Sequence, residues 1–254
     1  MHRLDDDDLR GFGRSGYVIV PEVVSEDLLQ AAEDEIDQLL ATVAPDEGSG
    51  GTGANLWFPP RAQLPMCDAA LRRSGALKIA DELVEPFKLD HAYDHIQVAI
   101  TVPPWSHVPG GPHIDGHGPN QDPPGTFTLL AGILLSDQSV PGVGNLWIWP
   151  GSHLEHGRLF AERGTRALQQ SFGHSTLLDP PLELGSGIEV RGRRGDLVLS
   201  HYLTGHNKGG NTGTHVRKTI YYRLAVAGHA ERWEQTLLDP LLEFNPVRSA
   251  LHED

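Results

Sequence analysis

The chain has 254 residues, 39% of them hydrophobic, and a formal net charge of −14 at pH 7. That length and apolar content bury a substantial core within one domain, while the acidic balance repels nucleic acid and anionic membrane surfaces and leaves a small molecule as the expected partner. Cys67 is the sole cysteine, which excludes an intramolecular disulfide and a cysteine-based zinc cluster and suits a reducing, cytoplasmic setting.

The opening MHRLDDDDLR carries four consecutive acids where a signal peptide needs a basic start and an apolar run, so export is not expected. The Asp run itself reads as solvated tail. GYVIVPEVV reads as a short strand entering a turn. Ser25 is a plausible N-cap with Glu26 and Asp27 behind it, and Leu28, Leu29, Ala32, Ile36, Leu39, Leu40 and Val43 recur at helical spacing. GSGGTG, Gly48 to Gly53, has the letters of a dinucleotide-binding turn, but neither the strand before it nor the helix after it, so it is expected to be a surface loop.

From residue 92 the pattern changes to strands. HIQVAITV puts Ile96, Val98, Ile100 and Val102 on one face and His95, Gln97, Ala99 and Thr101 on the other. Similar strands follow at TFTLLAGILL, NLWIW, GDLVLSHY and KTIYYRLAV, divided by Pro/Gly-rich turns and by a helical stretch near residues 153 to 171. That helix opens on Ser152-His153-Leu154-Glu155, which has the form of a capping box. No apolar run approaches the roughly 20 residues needed to span a bilayer.

GPHIDGHGPN, Gly111 to Asn120, is too rich in Gly and Pro for a helix, yet it holds three potential metal ligands. On extended backbone, His113 and Asp115 project to one face and Ile114 to the other. Two histidines and one carboxylate on one face of an octahedral ion form the ligand set of non-haem Fe(II) oxygenases, so a second histidine is needed. GDLVLSHYLTGHNKGGNTGTHVRKTIYYRL offers His201, His206 and His215. His206 is the best placed, because it lies past an apolar strand and before a Gly-rich turn that lets the backbone pass close to a bound group. Taken alone, His-x-Asp also describes ordinary hydrogen-bonded surface residues. His117, bracketed by glycines, reads as a neighbour of the ligands or as surface. Arg217 opens the strand RKTIYYRL, sharing a face with Thr219, Tyr221 and Arg223, where a guanidinium held on a rigid strand grips a carboxylate; the plain alternative is a salt-bridged surface arginine.

In order and spacing, His113-Ile114-Asp115, the block from Gly144 to His153, and Gly195-Asp196-Leu197-Val198 running to His206, Asn211 and Arg217 resemble the phytanoyl-CoA dioxygenase-like branch of the Fe(II)/2-oxoglutarate-dependent oxygenases. FGRSGYVIVPEVVSEDLLQAAEDEID is also similar to that family's opening. The resemblance implies a mainly β fold with flanking helices, built on a double-stranded β-helix, the jelly roll of cupins. A single domain is expected, with a helical part over about residues 1–90, a jelly-roll core over about 91–228 and a tail over 229–254. The resemblance further implies that His113, Asp115 and His206 bind Fe(II), and that Arg217 holds the far carboxylate of 2-oxoglutarate. O2 would then be consumed as the cosubstrate becomes succinate and CO2 and a C–H bond of a small molecule is hydroxylated. Asp115 favours hydroxylation, desaturation or cyclisation over halogenation, because related halogenases lack that carboxylate. Two residues depart from the family pattern, Pro112 in place of Trp and Lys208 in place of Ser.

Gln97 and Thr128 are candidate cosubstrate contacts, or else polar residues on a solvated strand face. Trp147 and Trp149 share a strand face and either line a substrate pocket or pack as core and rim aromatics. Trp105, Trp57 and Phe58 sit beside prolines in loops of the kind that cover substrates. Two readings compete with the oxygenase: a cupin-like Zn or Mn isomerase or hydrolase, and a non-catalytic binding protein on the same fold.

Overall fold

The computed structural model describes residues 3–252. In chain order, α1 (Asp6–Ser15) leads into β1 (Tyr17–Val20), α2 (Glu26–Leu40), β2 (Gly53–Trp57), α3 (Pro65–Arg73) and α4 (Ala76–Glu82). The strands β3 (Leu89–His91), β4 (Gln97–Val102), β5 (Leu129–Leu134) and β6 (Leu146–Ile148) follow, then α5 (Ser152–Arg163). β7 (Ile188–Glu189), β8 (Leu197–His201), β9 (His206–Lys208) and β10 (Arg217–Val226) complete the strands, and α6 (Trp233–Leu238) and α7 (Asn245–His252) close the chain.

The larger sheet runs β1-β8-β5-β10-β4-β2, with β3 also paired to β10, and the smaller runs β7-β6-β9. Every pairing is antiparallel, so each strand presents alternate residues to opposite faces. Val98 and Ile100, with Ile133, Leu199, Ile220 and Tyr222, face the helices, where Leu29, Ile36, Leu71 and Leu83 close one apolar core. Ala99, Leu130, Val198 and Tyr221 point the other way and meet Leu146 and Ile148 of the small sheet and Phe160 of α5. This is the expected jelly roll, with helices on one outer face. The short strand expected at GYVIVPEVV is β1, and β2, which the sequence did not mark, also comes from the mainly helical N-terminal part; together they form the two edges of the large sheet.

Three further expectations are corrected. The Asp run is no tail: the Asp5 carboxylate accepts the Asp8 amide at 2.9 Å and the Asp8 carboxylate accepts the Asp5 amide at 3.2 Å, a capping box that starts α1. Acids in a first turn also suit the positive end of a helix dipole. The C-terminal segment is equally ordered through residue 252, since α7 lies on α1 so closely that a Cβ added at Gly13 would sit 2.7 Å from Leu251 and 2.8 Å from Val247; residues 253 and 254 of the expected tail lie outside the described residues. Finally, Ser152 does not cap α5. Gly151 is its N-cap, and the buried Ser152 hydroxyl donates to the Trp149 carbonyl at 2.5 Å and accepts the Gly205 amide at 2.8 Å, so it ties the helix start to the loop before β9. No helix among the described residues is long and apolar enough to cross a membrane.

Candidate metal centre

The His113 segment lies beside β9. The His113 amide donates to the His206 carbonyl at 3.1 Å and the His206 amide returns the bond at 3.0 Å, so two residues far apart in sequence become cross-strand partners. One ligand atom from each of His113, Asp115 and His206 falls within 4.8 Å of the others. Asp115 Oδ1 is 3.7 Å from each imidazole Nε2. His206 Nδ1 is 3.0 Å from the Thr204 carbonyl, which makes Nδ1 the protonated nitrogen and leaves the Nε2 lone pair facing the cluster. Burial alone would lower the His206 imidazole, but the Asp115 carboxylate beside it carries it above its ordinary value. For His113, burial prevails and the value falls. Burial would raise the Asp115 carboxyl, yet the Arg223 guanidinium and both imidazoles hold it well below the usual carboxylate range. The donor set therefore consists of an ionised carboxylate and two imidazole nitrogens, as a divalent transition metal requires.

These three residues line a cavity of about 450 Å³, within the usual range for small-molecule sites. Arg217 lines it too, 5% exposed. Its Nη2 donates to the Tyr221 hydroxyl at 2.6 Å, its Nε to Gln138 Oε1 at 3.2 Å and its Nη1 to the Ala99 carbonyl at 3.4 Å; all three partners are neutral. Gln97 shares the cavity, on the same face of β4 as Ala99 and Thr101.

Other expected site residues lie elsewhere. Thr128 is buried on the far side, donating to Glu243 at 2.6 Å beside His229, because the turn before β5 aims it at the C-terminal segment. Trp147 and Trp149 face away from the cavity. They flank Gly187, whose added Cβ would lie 2.8 Å from Trp149 and 3.1 Å from Trp147, while Leu146 on the opposite face of β6 lines the cavity. Trp105 stacks on His107 with ring centroids 4.5 Å apart and does not reach the cavity. Trp57 is a core residue, whereas Phe58 stands on the cavity wall. His117 is buried beside the site, its Nδ1 3.0 Å from the Tyr202 hydroxyl and 3.2 Å from the Asp115 carbonyl.

Two participants escaped the sequence reading. Arg223 grips Asp115 Oδ2 through Nε at 3.0 Å and Nη2 at 2.6 Å. Its shared strand face with Arg217 was the available signal. His174 lies 5.2 Å from His113 between ring centroids and lines the same cavity, reached through a turn that carries no periodicity.

A family model for phytanoyl-CoA dioxygenase (PhyH) matches residues 12–219, a span that includes every residue of the cluster. The chain belongs to the phytanoyl-CoA dioxygenase (PhyH) family. No curated protein sequence matches it. Among solved structures, this PhyH-family chain is similar to SnoN, a non-heme alpha ketoglutarate dependent epimerase from nogalamycin biosynthesis, at 21% identity and a TM-score of 0.63 over 86% of this chain and 81% of that one. It is also similar to SnoK, a carbocyclase of the same biosynthesis, at 21% identity and a TM-score of 0.59 over 90% of each chain. HygX from Streptomyces hygroscopicus, crystallised with nickel and 2-oxoglutarate, is 17% identical with a TM-score of 0.58 over 88% of each chain. These likenesses establish the double-stranded β-helix of the PhyH fold.

Proposed function

We propose that the chain is a non-haem Fe(II)- and 2-oxoglutarate-dependent dioxygenase that oxidises a C–H bond of a small molecule, with hydroxylation as the outcome and succinate and CO2 as co-products. The observation that carries this reading is the presence, in one cavity, of the His113, Asp115 and His206 cluster and of Arg217, a buried guanidinium with no ion-pair partner among the described residues. An uncompensated buried charge costs several kcal/mol, and a carboxylate ligand removes that cost.

The chemistry supplied by a bound Fe(II) is the coupling of O2 reduction to decarboxylation of 2-oxoglutarate. The chain's own residues do the positioning. His113, Asp115 and His206 would hold the ion at the wall of the cavity they line. Arg217, braced by Tyr221 and Gln138, anchors the far carboxylate of 2-oxoglutarate through its remaining N–H groups, and Gln97 offers an amide on the adjacent strand. Leu56, Ala99, Leu130 and Leu146 form an apolar wall that keeps water from the reacting carbon. Phe58, His174 and Asn207 also line the cavity and orient the substrate. HygX, crystallised with nickel and 2-oxoglutarate, is consistent with this pairing of metal and cosubstrate.

Because the similar folds include an epimerase and a carbocyclase, the test reads succinate rather than a hydroxylated product. Purified protein given Fe(II), ascorbate, O2 and labelled 2-oxoglutarate is expected to release labelled succinate slowly without any added substrate, and His113→Ala to abolish the release. Iron bound without succinate release would instead favour a Zn or Mn isomerase or hydrolase, or a binding protein, on the same fold.

A further inference from the structure

The two oxygens of Asp115 have different surroundings. Oδ1 faces both imidazole Nε2 atoms at 3.7 Å. Oδ2 faces away from them and accepts two N–H groups of Arg223, at 3.0 and 2.6 Å. A carboxylate oxygen has two lone pairs in its plane, so two donors on Oδ2 leave that atom nothing to give a metal. Arg223 is itself firmly held. Its backbone is fixed in β10 opposite Leu130 and by the Ala92 amide, and its guanidinium lies between the rings of Phe58 and Phe127, 5.9 and 5.8 Å from their centroids. The Asp115 main chain is secured from the other side, where the Tyr202 hydroxyl donates to its carbonyl at 3.1 Å.

We infer that Arg223 is a positioning residue that restricts Asp115 to one-oxygen coordination and so keeps open the position that a chelating carboxylate would fill. This inference rests on the oxygenase reading of the site. An octahedral ion has six positions, and three protein ligands leave three: two for the keto and carboxylate oxygens of 2-oxoglutarate and one for O2. A chelating Asp115 would take a fourth and compete with the cosubstrate. Loss of Arg223 is therefore expected to weaken 2-oxoglutarate binding even though Arg223 contacts only the aspartate, while metal affinity holds or rises because the freed carboxylate gives more charge to the ion. A merely structural role predicts the opposite, a loss of metal affinity as Asp115 drifts.

Calorimetry with Ni(II) as a redox-silent stand-in, followed by 2-oxoglutarate, separates the two. In Arg223→Met, metal affinity should remain within about threefold of wild type or tighten, and 2-oxoglutarate affinity should fall by about tenfold, because the freed carboxylate competes for one of the positions the cosubstrate needs. Arg223→Lys keeps the charge but not the two-pronged contact, and is expected to follow Arg223→Met; wild-type behaviour in Arg223→Lys would overturn the inference. The infrared difference spectrum between Ni(II)-loaded and metal-free protein provides a direct readout and needs no variant. A wide separation of the asymmetric and symmetric Asp115 carboxylate stretches, reporting one-oxygen binding, is expected in wild type, and a narrow one in Arg223→Met. A narrow separation in wild type, or a tenfold loss of metal affinity with 2-oxoglutarate binding intact in Arg223→Met, overturns the role given to Arg223 alone. Failure of wild type to bind metal at all overturns the reading of the site beneath it.

Discussion

Arg217 is kept in place by a glycine. Gly144 has a φ of +88°, and a Cβ there would lie 2.9 Å from Arg217 Cβ and 3.0 Å from Thr101 Cβ. Any other residue is strained by its backbone and pushes the guanidinium from its seat. Gly144→Ala is expected to weaken 2-oxoglutarate binding by about tenfold to a hundredfold, the scale of a misplacement near 1 Å, while metal binding is unchanged. Calorimetry of the metal-loaded variant checks both. Among single residues, the shared direction of His113 and Asp115 was legible because i, i+2 spacing projects both to one side of extended backbone, and His206 was singled out from three histidines by the Gly-rich turn that follows it. Arg223 was not, because its partner is 108 positions away and only the folded register brings them together.

Among elements, the strands were legible wherever their alternation was long. In β4 and β10 the phase assigned Gln97, Ala99 and Thr101 to one face and Arg217 and Tyr221 to its counterpart, and those faces line the cavity. In β6, three residues long, alternation divided Leu146 and Ile148 from the tryptophans but carried no sign of which face turns inward. The Asp run was misread because a capping box and a solvated acidic tail share the same letters, and only the close seat of α7 on α1 distinguishes them. The N-terminal helix α2 was read from its apolar stripe, and that stripe supports the sheet rather than the site. Ile36 is fully buried against the helix-side core. Ile36→Ala should cost roughly 2–5 kcal/mol, read as a lower urea midpoint, while the 2-oxoglutarate affinity of the folded fraction stays at wild type. A loss of affinity equal to that of Gly144→Ala would contradict this division between support and site.

For the whole molecule, the buried histidines set the pH response. Burial lowers His117, His153 and His156 to about 4, whereas an unfolded imidazole titrates near 6.5. Between those values the unfolded chain takes up protons that the folded one refuses, so the contribution of these three falls as pH falls from about 6.5 toward 4, whereas the raised His206 imidazole contributes with the opposite sign and loses its share as pH rises through its folded value. At pH 5 each of the three forfeits about 2 kcal/mol, together comparable to the marginal stability of a domain. The carboxyls of Asp115 and Glu243, both lowered in the fold, add to the loss at still lower pH. Urea midpoints should therefore drop steeply from pH 7 to pH 5; an unchanged midpoint at pH 5 would show that these imidazoles are not held neutral.

The most direct measurement of the central claim, three ligands around one ion opposite a carboxylate-seeking arginine, is anaerobic calorimetry of Fe(II) and then 2-oxoglutarate. Wild type should bind one Fe(II) and then one 2-oxoglutarate per chain, His206→Ala should bind neither, and Arg217→Met should keep the iron while 2-oxoglutarate binding weakens by about a hundredfold, as expected when one side of a buried charge pair is removed. Iron bound as tightly by His206→Ala, or 2-oxoglutarate bound equally well by Arg217→Met, would contradict it.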